Sequence, residues 1–82
     1  SLDHSPEDRL IHRELYEEIS SAIDALPEKC KLVFLMAKEQ GLKYREIAEV
    51  LKISEKTVNA QMVIALKKLN AALQKYMKSL FF

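Results

Sequence analysis

The sequence predicts a single all-α domain of four to five helices. Its 82 residues include one glycine and two prolines, which leaves little material for turns. Good helix formers, chiefly Leu, Ala, Lys and Glu, are frequent. No long stretch alternates β-branched with polar residues, as a half-buried strand would. Because a chain of this length rarely divides into two domains, we expect residues 1–82 to pack as one unit.

The first two helices are marked by their ends. Ser5 and Pro6 suit a cap and a first helical position, and Pro27 ends this helix near Leu26 and opens the next. Gly41 stands where a left-handed residue commonly follows a helix, so the second helix should end at Gln40. Apolar residues recur in the first helix at Leu10, Leu15, Ile19, Ile23 and Leu26 and in the second at Val33, Phe34, Met36 and Ala37.

A short third helix and a long fourth helix follow. The third is predicted over residues 43–51, and Ser54 should cap the fourth, which meets no breaker before about Ser79. The third should turn Ile47, Ala48, Val50 and Leu51 inward. At about 100° per residue, one side of the fourth carries Val58, Met62, Ala65, Leu69, Leu73 and Tyr76, and the other carries Lys56, Ala60, Val63, Ile64 and Lys67.

Charge divides the chain into two halves. Residues 1–42 hold five basic and nine acidic residues, a net −4, whereas residues 43–82 hold eight basic and three acidic residues, a net +5. The near-neutral total of +1 therefore conceals a basic half that suits nucleic acid and an acidic half that suits a different partner.

Several function classes find no support in the residues. There is no glycine-rich phosphate loop and no nucleophile–histidine arrangement, so an enzyme is not expected. We expect no metal at His4, His12 and Cys30, and no cofactor. A lone cysteine suits the reducing cytoplasm, and no apolar run reaches the ~20 residues of a membrane span. Because the chain begins with Ser1, we interpret it as an excised fragment with residues 1–5 as a linker remnant.

The junction of the third and fourth helices carries the most specific pattern. Two helices joined by a three- to four-residue turn cross steeply only where the contact is small, and Ala48 and Val58 meet that need. The pattern predicts a helix-turn-helix over about residues 43–69, whose second helix is long. The residues concerned are Tyr44-x-x-Ile47-Ala48-x-x-Leu51-x-Ile53-Ser54-x-x-Thr57-Val58.

With its neighbours, this pattern resembles a known family. The chain is similar to region 4 of bacterial extracytoplasmic-function sigma factors, over nearly its whole length. Leu26-Pro27 and the apolar end look most like the Bacteroidetes type. The matching runs are Leu26-Pro27, Cys30, Val33-Phe34, residues 41–48, 53–58 and 65–69, and Leu80-Phe81-Phe82.

The resemblance implies a DNA partner and protein partners. Region 4 of that family binds the −35 element of double-stranded promoter DNA and docks on the β flap of RNA polymerase, and anti-sigma factors can mask it. Carried over by position, the base-reading residues are Lys56, Asn59, Ala60, Gln61 and Val63. The phosphate-binding residues are Lys43, Tyr44, Arg45, Thr57 and Lys67.

The chain departs from the family pattern in two respects. Arginine is frequent in the family among the positions that Asn59, Gln61 and Ile64 occupy here, so the bases read are not transferable. Lys52 stands where Gly or Asn is frequent, because the turn there tends toward a left-handed backbone. Either a lysine adopts that conformation at a cost of about 1 kcal/mol, or the turn differs slightly from the family's.

A protein-binding surface is also expected, because a domain this small cannot bury all its large apolar residues. We predict an exposed apolar cluster that docks a partner. Its members would be Val33, Phe34, Leu80, Phe81 and Phe82.

Two alternatives stay open at this stage. The output domain of a LuxR-type regulator shares the Glu-Ile-Ala and Lys-Thr-Val core, although the Leu26-Pro27 opening and the long preceding helix favour the sigma type. A protein-interaction module with a vestigial helix-turn-helix is the second alternative, and it would bind no promoter DNA.

Overall fold

A computed structural model describes residues 6–81, with side chains from residue 9 onward. This part of the chain forms α1 (Pro6–Asp24), α2 (Glu28–Lys38), α3 (Tyr44–Leu51) and α4 (Glu55–Phe81), and it contains no strand. The all-α prediction is confirmed, with four helices over these residues. The predicted cap Ser5 lies outside the described residues.

The first two helices end two residues earlier than predicted. The N–H of Leu26 bonds to the Ile23 carbonyl at 3.1 Å, a tight turn that closes the chain before Pro27, which disfavours helix in the residue before it. At the end of α2 the chain turns through Gly41, whose φ of 69° is left-handed as expected. The N–H of Leu42 then bonds to the Met36 carbonyl at 3.0 Å.

The turn between α3 and α4 is held at both ends. Lys52 adopts φ 58° and ψ 46°, which confirms the expected left-handed turn. The Ala48 carbonyl accepts hydrogen bonds from Lys52 N–H and from Ile53 N–H, the latter at 3.0 Å. Ser54 Oγ accepts a hydrogen bond from Thr57 N–H at 3.0 Å, so the predicted cap of α4 is confirmed.

The core lies between α2, α3 and the first half of α4. Ile47, Val33 and Val58 are fully buried at its centre. The small side chain of Ala48 belongs to the same core as Val58, so the predicted position of the crossing agrees with the packing. The buried cluster comprises Leu26, Cys30, Val33, Phe34, Met36, Ile47, Ala48, Val58, Met62 and Ala65.

One helix-face prediction is wrong. Val50 was expected to point inward with Ile47 and Leu51, but 62% of its surface is exposed. An eight-residue helix makes little more than two turns. One narrow stripe of such a helix can therefore contact α2 and α4, and Val50 falls outside it.

The molecule is long and thin. Its principal extents are 46 × 31 × 15 Å, and its radius of gyration is 15.5 Å, against about 12 Å for a compact chain of this length. The elongation comes from α4, whose 27 residues span about 40 Å. The first half of α4 carries the core and its second half packs along α1, so the two ends of this helix have different surroundings.

Candidate nucleic-acid interface

The N-terminal half of α4 presents an outward face that is separate from its buried face. Lys56, Ala60, Val63 and Lys67 are exposed and fall within a sector of about 60° at 100° per residue. Val58, Met62 and Ala65 occupy the opposite side and are buried. Because the buried residues of this half of α4 lie on its opposite side, the outward face can meet a partner without disturbing the core.

The five residues expected to read bases differ in accessibility. Asn59 is exposed at the edge of the outward face, beside Lys56, Ala60 and Val63. Gln61 is half-buried, because it lies on the flank that approaches α2. Four of the five are therefore open to a ligand, and Gln61 is the least accessible.

The residues expected to hold phosphates are distributed over both helices of the motif. Lys43 and Arg45 are exposed at the start of α3, and Lys67 is exposed on α4. Tyr44 is half-buried against the core, and Thr57 is half-buried with its hydroxyl 2.9 Å from Ser54 Oγ. The three cations are thus freely available, whereas the two hydroxyl-bearing side chains already have structural contacts.

Two features determine the electrostatic potential at the N-terminus of α4. The unpaired N–H groups of its first turn make this end of the helix electropositive, and Ser54 satisfies one of them. Glu55 in the same turn supplies one negative charge that offsets part of this field. Its angular position, about 100° from Lys56, keeps it off the centre of the outward face.

Cys30 contributes a contact to this helix that sequence patterns do not reveal. Its thiol donates a hydrogen bond to the Gln61 carbonyl at 3.4 Å and so ties α2 to the helix that bears the outward face. The side chain is 1% exposed. Burial raises the pKa of Cys30, and the nearby Lys68 offsets part of that rise. The thiol is therefore protonated and structural.

Comparison with known proteins identifies the family. A family model described as "Sigma-70, region 4" matches residues 16–69. This chain belongs to the sigma-70 region 4 family. The match covers the second half of α1, all of α2 and α3, and the first half of α4. It favours the sigma type over a LuxR-type output domain. A sigma factor domain is not an enzyme.

A curated relative agrees with this assignment. The RNA polymerase sigma factor FliA of Yersinia enterocolitica is 34% identical over 71 residues, which cover 87% of this chain. The same stretch is 31% of that relative's length, so the chain spans about a third of the protein that it matches.

The apolar surface of this region 4 domain differs from the one predicted. Val33 and Phe34 are 0% and 8% exposed, so the expectation that they form an exposed cluster is wrong. Four helices suffice to enclose the apolar face of α2. Leu80 and Phe81, 38% and 69% exposed, do lie on the surface at the end of α4, and Phe82 lies outside the described residues.

A second apolar surface was missed. Leu32 on α2 is 45% exposed, and with Glu28, Lys29 and Leu51 it lines a shallow pocket of about 370 Å³ between α2 and α3. The exposure of Leu32 could not be predicted from the sequence. Leu32 lies between the buried positions of α2, and helical spacing alone does not show which apolar residues of a helix the other helices leave uncovered.

Two other kinds of site find no support in the part of the chain that the structure describes. No three His, Cys, Asp or Glu side chains there gather as metal ligands. None of its helices combines the length and the apolar character needed to cross a membrane.

Proposed function

We propose that this region 4 domain recognises the −35 element of promoters for RNA polymerase, with the N-terminal half of α4 in the major groove. The observation that carries this proposal is the outward face of α4, which joins lysines, an amide and small apolar groups directly after a capped turn. The second helix of a helix-turn-helix enters the groove with its N-terminal residues on base edges. Membership in the sigma-70 region 4 family supports the same assignment.

In this proposal the exposed residues divide into two roles. Lys56, Asn59, Ala60 and Val63 read bases, and the half-buried Gln61 contributes least to base reading. Lys43, Arg45 and Lys67 bind phosphates by charge, and Tyr44 and Thr57 contribute what their structural contacts leave available. Asn59 is the strongest candidate for a specific hydrogen-bonded contact, because an exposed amide can bond adenine at two atoms.

Paired substitutions test this division by equilibrium DNA binding at several salt concentrations. Arg45→Ala should weaken binding to all sequences and lower the slope of log K against log salt by about one unit, since one phosphate contact is lost. Asn59→Ala should instead relax preference at one or two base pairs, at a cost of about 1–3 kcal/mol on the preferred sequence.

Arg13→Ala is the matched control, because Arg13 is an exposed arginine on α1 in the acidic half. It should leave the salt slope and the sequence preference unchanged. Equal losses on every sequence for Asn59→Ala and Arg45→Ala would contradict the division of roles. A domain that binds no promoter DNA, alone or with polymerase, would instead be a vestigial interaction module.

We further propose that the domain comes from an extracytoplasmic-function sigma factor, of the Bacteroidetes type, that works in the cytoplasm with core RNA polymerase and an anti-sigma factor. The support is the residue pattern around Leu26-Pro27 and the apolar end of α4. Co-purification of the full-length protein with core RNA polymerase tests the first partner, since regulators of the LuxR type should not associate stably with it.

The exposed end of α4 is the proposed contact for the polymerase β flap or the anti-sigma factor. Leu80 and Phe81 supply it, with Phe82 following in the sequence. Deleting residues 80–82 should weaken those associations and leave DNA binding intact, because these side chains lie far along α4 from the outward face. Unchanged association with both proteins would remove this end from the proposal.

A further inference from the structure

Apolar side chains occupy the middle of the outward face of α4 and, at Ile64, the surface directly beside it. Val63 and Ile64 are 42% and 40% exposed, and Ala60 is exposed beside them. Residues spaced i, i+3 and i+4 are neighbours on a helix surface, so the three side chains form one patch, which we call the methyl patch. Lys56 precedes it and Lys67 follows it along the helix, so cations flank an area with no hydrogen-bonding side chain.

The flanking charges indicate what covers the methyl patch. A protein partner for exposed Val and Ile would ordinarily be apolar, and two lysines at its edges would be costly to bury. A DNA major groove supplies phosphates at both edges and bases between them. The half of the chain that contains α4 also carries the net positive charge. Charge complementarity therefore favours DNA as the occupant.

Only one base offers an apolar group to such a patch. In the major groove guanine, cytosine and adenine present hydrogen-bonding atoms and no methyl group, whereas thymine adds a C5 methyl group. A valine pressed against the cytosine amino group would leave that donor without a partner, which costs free energy. The methyl patch thus matches thymine and disfavours cytosine at the same position.

We propose that the methyl patch reads thymine methyl groups, so that the promoter element bound by this domain carries thymines next to the base pair contacted by Asn59. This inference rests on the proposed function. Four residues of helix, from Ala60 to Ile64, rise about 6 Å, and base pairs stack every ~3.4 Å. The patch therefore spans about two adjacent base pairs. Val63 and Ile64 are stiff at χ1, which fixes where their methyl groups lie.

The test replaces single methyl groups on the DNA. The probe is a duplex enriched by this chain from a randomised pool, and each thymine is replaced in turn by deoxyuridine, which lacks only the C5 methyl. Binding is measured by fluorescence anisotropy. We expect about a fourfold loss at one or two neighbouring positions, which corresponds to the ~0.8 kcal/mol of one buried methyl-sized group, and no loss elsewhere. Replacing cytosine by 5-methylcytosine at those positions, in a probe that carries cytosine there, should restore the same factor.

A protein variant links that loss to the patch. In Val63→Ala, the loss of affinity on replacing thymine by deoxyuridine should be smaller at one of the two positions. The reason is that the thymine methyl group there no longer contacts a valine side chain. Val50→Ala is the matched control, since Val50 is an exposed valine on α3, and it should keep the full penalty. Both valines are exposed positions in helices, where alanine is the better helix former, so neither change should lower the urea midpoint of unfolding.

The outcomes separate the two proposals. If no duplex is enriched, either by this chain alone or by the full-length protein with RNA polymerase, the proposed function fails and the inference fails with it. If a duplex binds tightly while deoxyuridine and Val63→Ala leave its affinity unchanged, DNA binding stands and the methyl inference is overturned.

Discussion

At the scale of single residues, Lys52 has the least favourable backbone conformation among the described side-chain-bearing residues. It is the one non-glycine residue there with a positive φ. In this conformation the Cβ approaches the following carbonyl, which costs about 1–2 kcal/mol. The hydrogen bonds from Lys52 and Ile53 to the Ala48 carbonyl hold it in place, so the turn that sets the angle between α3 and α4 carries local strain.

Lys52→Gly should therefore stabilise the domain. Relief of the strain exceeds the extra entropy of a glycine in the unfolded chain, and we expect a net gain of about 0.5 kcal/mol, measured by the urea midpoint. The control is Lys75→Gly, at an exposed position inside α4, which should cost about 1 kcal/mol. Similar losses for both variants would show that Lys52 is unstrained.

Tyr76 gives the stability of the domain a dependence on alkaline pH. Burial raises the pKa of Tyr76 above 10.0, and the carboxylate of Glu14, 3.4 Å from the hydroxyl, raises it further, as does Glu18. Because the folded pKa lies above the unfolded value, this contribution is complete below pH 10 and is lost as the pH rises through the folded pKa.

Tyr76→Phe should accordingly flatten the fall in unfolding free energy above pH 10, with little change at pH 7, where the long hydrogen bond contributes weakly. Tyr16→Phe is the control, because Tyr16 is 72% exposed and should retain the wild-type profile. The measurement is urea denaturation across the alkaline range. Parallel profiles for the wild type and Tyr76→Phe would contradict this account.

At the scale of helices, the crossing of α3 and α4 depends on a small side chain. Ala48→Leu should overpack the core beside Val58 and cost about 1–3 kcal/mol. Glu49→Leu adds the same side chain one residue along α3, at an exposed position, and should leave the urea midpoint nearly unchanged. An unchanged midpoint for Ala48→Leu would mean that the two helices do not cross there.

Helices and turns were predictable here because each depends on local chemistry. Pro27, Gly41 and Ser54 act within a few residues of themselves. The left-handed turn at Lys52 was expected from the family resemblance, because Gly or Asn is frequent at that position. Exposure was less predictable, since it depends on which helix covers which face. Val50, Val33 and Phe34 were misassigned for this reason. The roles of Asn59 and the other proposed DNA contacts stay predictions, because they require a bound partner.

At the scale of the whole molecule, buried residues are unevenly distributed. Beyond Ala65, Tyr76 is the one buried residue of α4 in the described part, and the described side chains of α1 are at most half-buried. All the other buried residues among those described belong to the core between α2, α3 and the first half of α4. The part formed by α1 and the second half of α4 is therefore less stable than the rest of the molecule.

Hydrogen exchange should reveal this difference. Amides of α2, α3 and the first half of α4 should exchange most slowly, because they open only on global unfolding, whereas α1 and the second half of α4 open locally. Tyr76→Ala should lower the free energy of local opening of α1 and the second half of α4 by about 2 kcal/mol. The amides of α2, α3 and the first half of α4 should remain the slowest to exchange. Uniform acceleration across all four helices would show that the molecule unfolds as one unit.

Because Cys30 is buried against Gln61 on α4, the rate at which its thiol is labelled measures how often α2 separates from α4. The chain contains one cysteine, and only a thiolate reached by reagent can react with an aromatic disulfide. Labelling must therefore wait until α2 separates from α4, so its rate counts those openings. A ligand that binds only the closed form slows labelling by a factor of 1 + [L]/Kd. The unmodified protein can thus be titrated with DNA by following the colour of the released thiol, with no dye attached to either partner.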